Sequence, residues 1–213
     1  MRNLPKKKVF NILDSILLKK NHTISKSIVN TDNLNIILFS MAENTNISKE
    51  YYNHESIFYV LQGSIEILDN KLKENYLYIS PKKSLRGVRA FKDTVYLEIE
   101  IKGDKNMQNI EKGKLIDLKN KIEYVDGGIS NLDIISKENI KLMLMAFDKG
   151  EGLSDHAAPG DAMVIALEGR ADLKVGNEIH EIKEGQQLIF PKGEIHNIFA
   201  KEKFKMALLL ILD

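Results

Sequence analysis

The chain has 213 residues, 43% of them apolar and 29% charged, which is the balance of an ordinary globular protein. That length suits one large domain or two of about 100 residues each. A formal charge of +1 gives no long-range field for nucleic acid or for an anionic membrane, so neither is expected as a partner, and the absence of cysteine excludes disulfides and thiolate metal sites.

Near the N-terminus Lys6-Lys7-Lys8 and the apolar run from Val9 to Leu13 have the look of a leader segment. Asn11 and Asp14 interrupt that run, however, and no small-residue cleavage site follows. No window is long and apolar enough to span a bilayer, and a cytoplasmic chain is the expectation. Asn11 to Lys19 has some helical periodicity, over too short a stretch to define a helix.

From there the pattern is of strands. Ile57 to Leu61 is a short apolar run ended by Gly63, where a turn needs a permissive backbone. Val95, Leu97, Ile99 and Ile101 alternate with Tyr96, Glu98, Glu100 and Lys102, which predicts a half-buried strand with Glu98, Glu100 and Lys102 on its outer face. Gly103 to Gly113 is polar and reads as a connection. Met163 to Leu167, ended by Gly169, repeats the earlier run, and Leu173 to Ile182 folds around Gly176-Asn177 as a hairpin.

The chain repeats itself. Shifted by 106 residues, Asn35 to Met41 falls on Lys141 to Phe147 and Gly63 on Gly169; beyond the turn near Asp69-Asn70 the shift becomes 110, placing Pro81 on Pro191 and Arg86 on His196. One period of this length means a duplicated domain, with halves at 1–102 and 114–213 joined by 103–113.

Two blocks of the second half carry a family resemblance. The first runs Gly150, five residues, His156-Ala157-Ala158, three residues, Ala162, six residues, Gly169; the second runs Gly185, five residues, Pro191-Lys192-Gly193, two residues, His196, three residues, Ala200. This spacing resembles the paired motifs of the cupin superfamily, in the two-domain form of the small conserved-barrel type. The resemblance implies an all-β fold of two tandem cupin barrels, each a double-stranded β-helix or jelly roll. It also implies a metal held by three His and one Glu, of which this chain keeps His156 and His196 and replaces the others by Ala158 and Ala162.

Strand alternation would send His156 and Ala158 inward together, with Ala162 returning inward after Pro159-Gly160, and would put His196, Ile198 and Ala200 on one inner face. Two His alone would hold a divalent ion weakly, unless Asp155 or Glu194 joined them. The plain alternative is a pair of hydrogen-bonded interior histidines. A third reading is an apolar cavity opened by Ala158, Ala162 and Ala200, in which Met163, Phe190, Phe199 and Met206 are candidates to line a small-ligand site. In the first half Arg86 stands where His196 does, with Glu50, Tyr52 and Ser56 at the other metal positions. A buried guanidinium needs a partner. Either Arg86 pairs with Glu50 as an internal plug, the favoured reading, or it clamps an anionic ligand.

Fold does not fix function. The leading expectation is a small-molecule binder using His156, Ala158, Ala162, His196 and Ala200, with Arg86 as a further contact. No cofactor is required by this reading, though a weakly held divalent metal is open to His156 and His196. The alternatives are a metal-dependent enzyme of isomerase or dioxygenase type with those two ligands, and an assembly scaffold. Met206 to Leu212 is apolar on both faces, so its outer face should be covered by the first half or by a second subunit, as in a homodimer.

Overall fold

The computed structural model describes residues 1–102 and 112–212, and these are almost wholly strand. They divide into two compact units, Met1–Asn3 with Leu13–Asp117, and Leu4–Ile12 with Leu118–Asp213. The proposed connection at 103–113 lies mostly outside the described residues. Two segments fall on the other side of the division from where the repeat puts them: Leu4–Ile12 goes with the second barrel, and 114–117 with the first.

The first unit holds β1 (Thr23–Asn30), β2 (Leu34–Met41), β3 (Asn46–Tyr52), β4 (Glu55–Gln62), β5 (Ser64–Ile67), β6 (Asn70–Lys73), β7 (Tyr76–Ser80), β8 (Ser84–Ala90), β9 (Thr94–Ile101) and β10 (Leu115–Asp117). The second holds β11 (Ile129–Ser136), β12 (Ile140–Phe147), β13 (Gly152–Ala157), β14 (Asp161–Glu168), β15 (Arg170–Val175), β16 (Glu178–Lys183), β17 (Gln187–Phe190), β18 (Ile195–Ala200) and β19 (Phe204–Ile211). One sheet of the first unit has the order β1-β2-β9-β4-β7-β10 and the other β3-β8-β5-β6; the second unit repeats them as β11-β12-β19-β14-β17 and β13-β18-β15-β16. Register repeats as well. Phe39 lies opposite Tyr96 as Met145 lies opposite Met206, and β4 and β14 break register at the same place, just before Gly63 and Gly169. Each unit is therefore a jelly roll, and the duplication holds strand by strand.

The edge strand of each unit is covered in its own way. β10 pairs antiparallel with β7. On β17 the cover is the N-terminal segment: Lys7 donates its N–H to the Ile189 carbonyl, and Phe10 and Gln187 exchange backbone hydrogen bonds. The run that resembles a leader is thus a short edge partner, which satisfies polar groups that would otherwise template aggregation. A single 3-10 turn, Ile12–Ser15, is all that forms over the stretch with weak helical periodicity. Its first N–H is held by the buried Gln187 Oε1 at 2.6 Å. Gln187→Leu strands that donor and is expected to cost about 1–3 kcal/mol, the penalty of an unsatisfied buried group. Urea denaturation should show the loss, and hydrogen exchange at the Ile12 amide should accelerate.

The interior of the second barrel is apolar. Phe147, Ala162, Val164, Phe190, Phe204, Met206 and Leu210 belong to its core, so one face of β19 points inward with Met206, Leu208 and Leu210. The opposite residues, Lys205, Ala207, Leu209 and Ile211, are buried too within the single chain.

In the first barrel the same alternation corrects the sequence reading of β9. Tyr96 packs in the barrel core with Phe58, Val60 and Tyr78, and Glu98 and Glu100 follow it on the inner face. Val95, Leu97, Ile99 and Ile101 form the other face and are also buried. The apolar half of the alternation marks the outer face, and both faces of this wall are buried. Glu98 and Glu100, expected to face solvent, point into the barrel instead.

Candidate functional site

In the second barrel His156 and His196 stand directly opposite each other on β13 and β18, beside a register shift that starts after Leu153. Their ring centroids are 4.3 Å apart. His196 is 3% exposed and stacks on Phe190, with centroids 4.0 Å apart and planes 15° from parallel. His156, expected inside, is exposed apart from this contact. Each Nδ1 lies 2.8 Å from a backbone carbonyl two residues earlier, Ser154 for His156 and Glu194 for His196. A carbonyl only accepts, so both Nδ1 atoms carry the proton and both Nε2 lone pairs are left for a partner. Burial, partly opposed by the hydrogen bond to Glu194 and helped by the neighbouring His156, lowers the His196 pKa and favours its neutral ring.

The alanines pack in the core of the barrel or against it. Ala162 and Ala200 are core residues and Ala158 packs partly buried against the same core. The space beside His196 holds the Phe190 ring, and Phe199 is 50% exposed on the outer face, so it does not line the interior. Nor do the neighbouring carboxylates turn toward the imidazoles. Asp155 accepts from Lys174 at 3.0 Å and from Asn197 at 2.5 Å, which hold its pKa low; Glu194 pairs with Lys7 at 2.9 Å; Asp161 meets Lys6 at 2.6 Å. Among the described residues no group of three or more His, Asp or Glu side chains is placed to hold a metal ion. Two imidazoles are fewer donors than catalytic zinc or a non-haem iron centre uses. The set fits a divalent ion held weakly, with its shell completed from solvent.

The first barrel carries the more polar interior. Arg86 and Glu50 are opposite each other on β8 and β3, as His196 and His156 are on β18 and β13. They do not pair as the plug reading expects: Glu50 is exposed, whereas Arg86 is 2% exposed and turned inward. The guanidinium donates from Nη1 to the His54 carbonyl (3.1 Å) and the Ser84 hydroxyl (3.3 Å), and from Nη2 to the Ser56 hydroxyl (2.6 Å). Its plane lies over the Tyr52 ring, 4.1 Å from the centroid. Nε–H is buried without a partner, and no carboxylate of the described residues reaches ion-pair distance. Burial lowers the Arg86 pKa, against the pull of Glu98 and Glu100.

Beside it lies a cavity of ≈ 200 Å³. Its polar lining is Tyr52, Arg86, Glu98 and Glu100, and its apolar walls include Phe39, Ile47, Phe58 and Val88. Glu98 is 8% exposed, and burial, reinforced by Glu100, pushes its carboxyl up to about 7 against the opposing pull of Arg86 and of a hydrogen bond from Ser56. Glu100 is already held by Asn35 Nδ2 at 2.8 Å and stands 3.6 Å from His54 Nε2. Sequence reasoning finds Arg86, Tyr52 and Ser56 by their repeat positions, and it misses Glu98 and Glu100. The signal is present: counted from Met206, an inner position of the second barrel, the 110-residue shift puts Tyr96, Glu98 and Glu100 inside the first.

Comparison with known proteins agrees with this architecture. Residues 143–212 match the cupin domain family model. A cupin 2 conserved barrel domain protein from Leptotrichia buccalis is similar over 98% of both chains, with 27% identity and a TM-score of 0.85. At the level of fold alone, a salicylate 1,2-dioxygenase from Pseudaminobacter salicylatoxidans is similar over 88% of this chain and 76% of its own (7% identity, TM-score 0.61). A deletion mutant of Bacillus subtilis oxalate decarboxylase is similar over 99% and 78% (12% identity, TM-score 0.57). No curated protein sequence matches the chain. None of the helices among the described residues is long and apolar enough to cross a membrane. The strand order shared by its two jelly rolls, with the cupin domain pattern matched over residues 143–212 of the second, gives this chain the fold of two tandem cupin barrels.

Proposed function

We propose that this chain is a small-molecule-binding protein whose C-terminal barrel engages its ligand through His156 and His196, a reduced form of the metal site that the family pattern implies. One observation carries the reading. Two facing imidazoles have both Nδ1 protons committed to backbone carbonyls, so two Nε2 acceptors stand side by side, one on a buried ring and one on an exposed ring. Such a pair accepts hydrogen bonds from a ligand hydroxyl, amide or ammonium group, and it holds a divalent ion only weakly. The missing third protein donor sets binding ahead of metal-dependent catalysis as the reading.

The test is to purify the chain without a histidine tag and measure its metal content together with any small molecule released on denaturation. Metal well below one equivalent is expected, with a ligand whose retention drops at least tenfold in both His156→Ala and His196→Asn. A full equivalent of divalent metal that disappears in His156→Ala would overturn the reading in favour of an enzyme.

A further inference from the structure

The structure assigns a second ligand site to the chain: we infer that the cavity of the first barrel binds a small monocarboxylic acid, its carboxylate on the Arg86 guanidinium and its apolar body against Phe39, Phe58 and Ile47. This site is independent of the His156–His196 pair, so either can fail alone.

Three features lead to a carboxylate. First, a guanidinium cannot shed its charge, and here it is buried against serine hydroxyls, a carbonyl and a tyrosine face, with no carboxylate of the described residues at ion-pair distance. Second, its Nε–H is buried without a partner, and the Arg86 side chain is part of the cavity lining. Nε–H and the adjacent Nη2 group make the fork that a planar carboxylate fills with two parallel hydrogen bonds. Third, the cavity already contains Glu98, which in its protonated form donates to a carboxylate oxygen, and Glu100, which is occupied by Asn35. A monocarboxylate adds a single negative charge beside Arg86, whereas a phosphate or a dicarboxylate would bring a second charge against Glu98 and Glu100. The volume of ≈ 200 Å³ is that of roughly six or seven waters of the liquid, which suits a short aliphatic or single-ring acid. The buried Tyr96 hydroxyl, also without a partner and stacked on Phe39 with centroids 5.1 Å apart, supplies another unused donor in the same core.

The full chain would be titrated with butyrate and benzoate at pH 7 by calorimetry and by nuclear magnetic resonance, with butyramide and benzamide as uncharged partners of the same shape. Saturable binding of at least one acid is expected, at least tenfold tighter than its amide and at least tenfold weaker in Arg86→Lys, which keeps the charge and loses the fork. Glu98→Gln, which removes the competing negative charge, is expected to bind the acid several-fold tighter at pH 8, and it decides the matter should the Arg86 variant not fold. Absence of saturable binding by either acid, equal affinity for acid and amide, or an unchanged affinity in Glu98→Gln would each overturn the assignment.

Discussion

Gly169→Ala is expected to destabilise the second barrel by about 3 kcal/mol or more, and Gly63→Ala to do the same in the first. Both glycines have positive φ, +75° at Gly169 and +82° at Gly63, where a side chain costs about 1–2 kcal/mol by itself. Space is the larger matter. A Cβ on Gly169 would lie 2.0 Å from the Lys203 carbonyl oxygen, and one on Gly63 would lie 2.3 Å from that of Asp93. Both obstacles are backbone, so no side-chain rotation relieves them. Gly185 is the control, with φ +83° and open space for 4 Å around the point where a methyl group would sit. Gly185→Ala should show the conformational cost alone, about 1 kcal/mol. Chemical denaturation of the three variants separates the terms, and equal losses at Gly169 and Gly185 would show that the close approach is harmless.

These two glycines also mark what the sequence makes plain. They end apolar runs at matching places in a 106-residue repeat, and the structure sets a register break just before each. Close backbone approach demands glycine, so the repeat and the jelly roll are legible from local residues. So is the hairpin at Gly176-Asn177, where Val175 lies opposite Glu178. Parity of a wall strand is another matter. In β9 the alternation is clear but ambiguous, since Leu97 and Ile99 are buried on one side while Tyr96 and Glu98 are buried on the other. The habit of equating the apolar face with the interior then gives the wrong answer.

The polar interior of the first barrel is half visible in the sequence for a similar reason. Arg86 is found by its repeat position, but its partners are not. Glu50 is the cross-strand neighbour in register, and direct opposition on a sheet suggests an ion pair. The guanidinium instead turns inward to Ser56 and Ser84, while Glu50 stays in solvent. The N-terminal segment escapes for lack of a local signal: its fit to β17 is made by backbone groups and by Gln187, 175 residues away.

Glu98→Gln gives the largest pH-dependent effect expected of a single side chain here. Glu98 faces Arg86 from β8, Tyr52 from β3 and Ser56 from β4, with Glu100 on its own strand, and its carboxyl is held up at about 7 against an ordinary 4.5. In the folded chain it therefore keeps its proton through a range in which the unfolded chain has lost it. Stability rises with pH only where the unfolded state binds more protons, and here the folded state binds more. The contribution of Glu98 thus falls as pH climbs from about 4.5 to about 7 and stays low above that. A difference of that size corresponds to about 3 kcal/mol, and the near-complete burial of the group leaves little solvent screening to reduce it. Glutamine has the same shape and no titration, although it does not restore the attraction to Arg86. The variant should accordingly match or trail the parent near pH 4 and gain on it steadily up to pH 7, by an amount approaching that figure. Urea denaturation at half-unit steps between pH 4 and 8, read by circular dichroism and by hydrogen exchange in β4 and β9, measures the gain. Parallel stability profiles for the two proteins across that range would mean that Glu98 ionises normally, and that the interior of the first barrel is wetter than its geometry indicates.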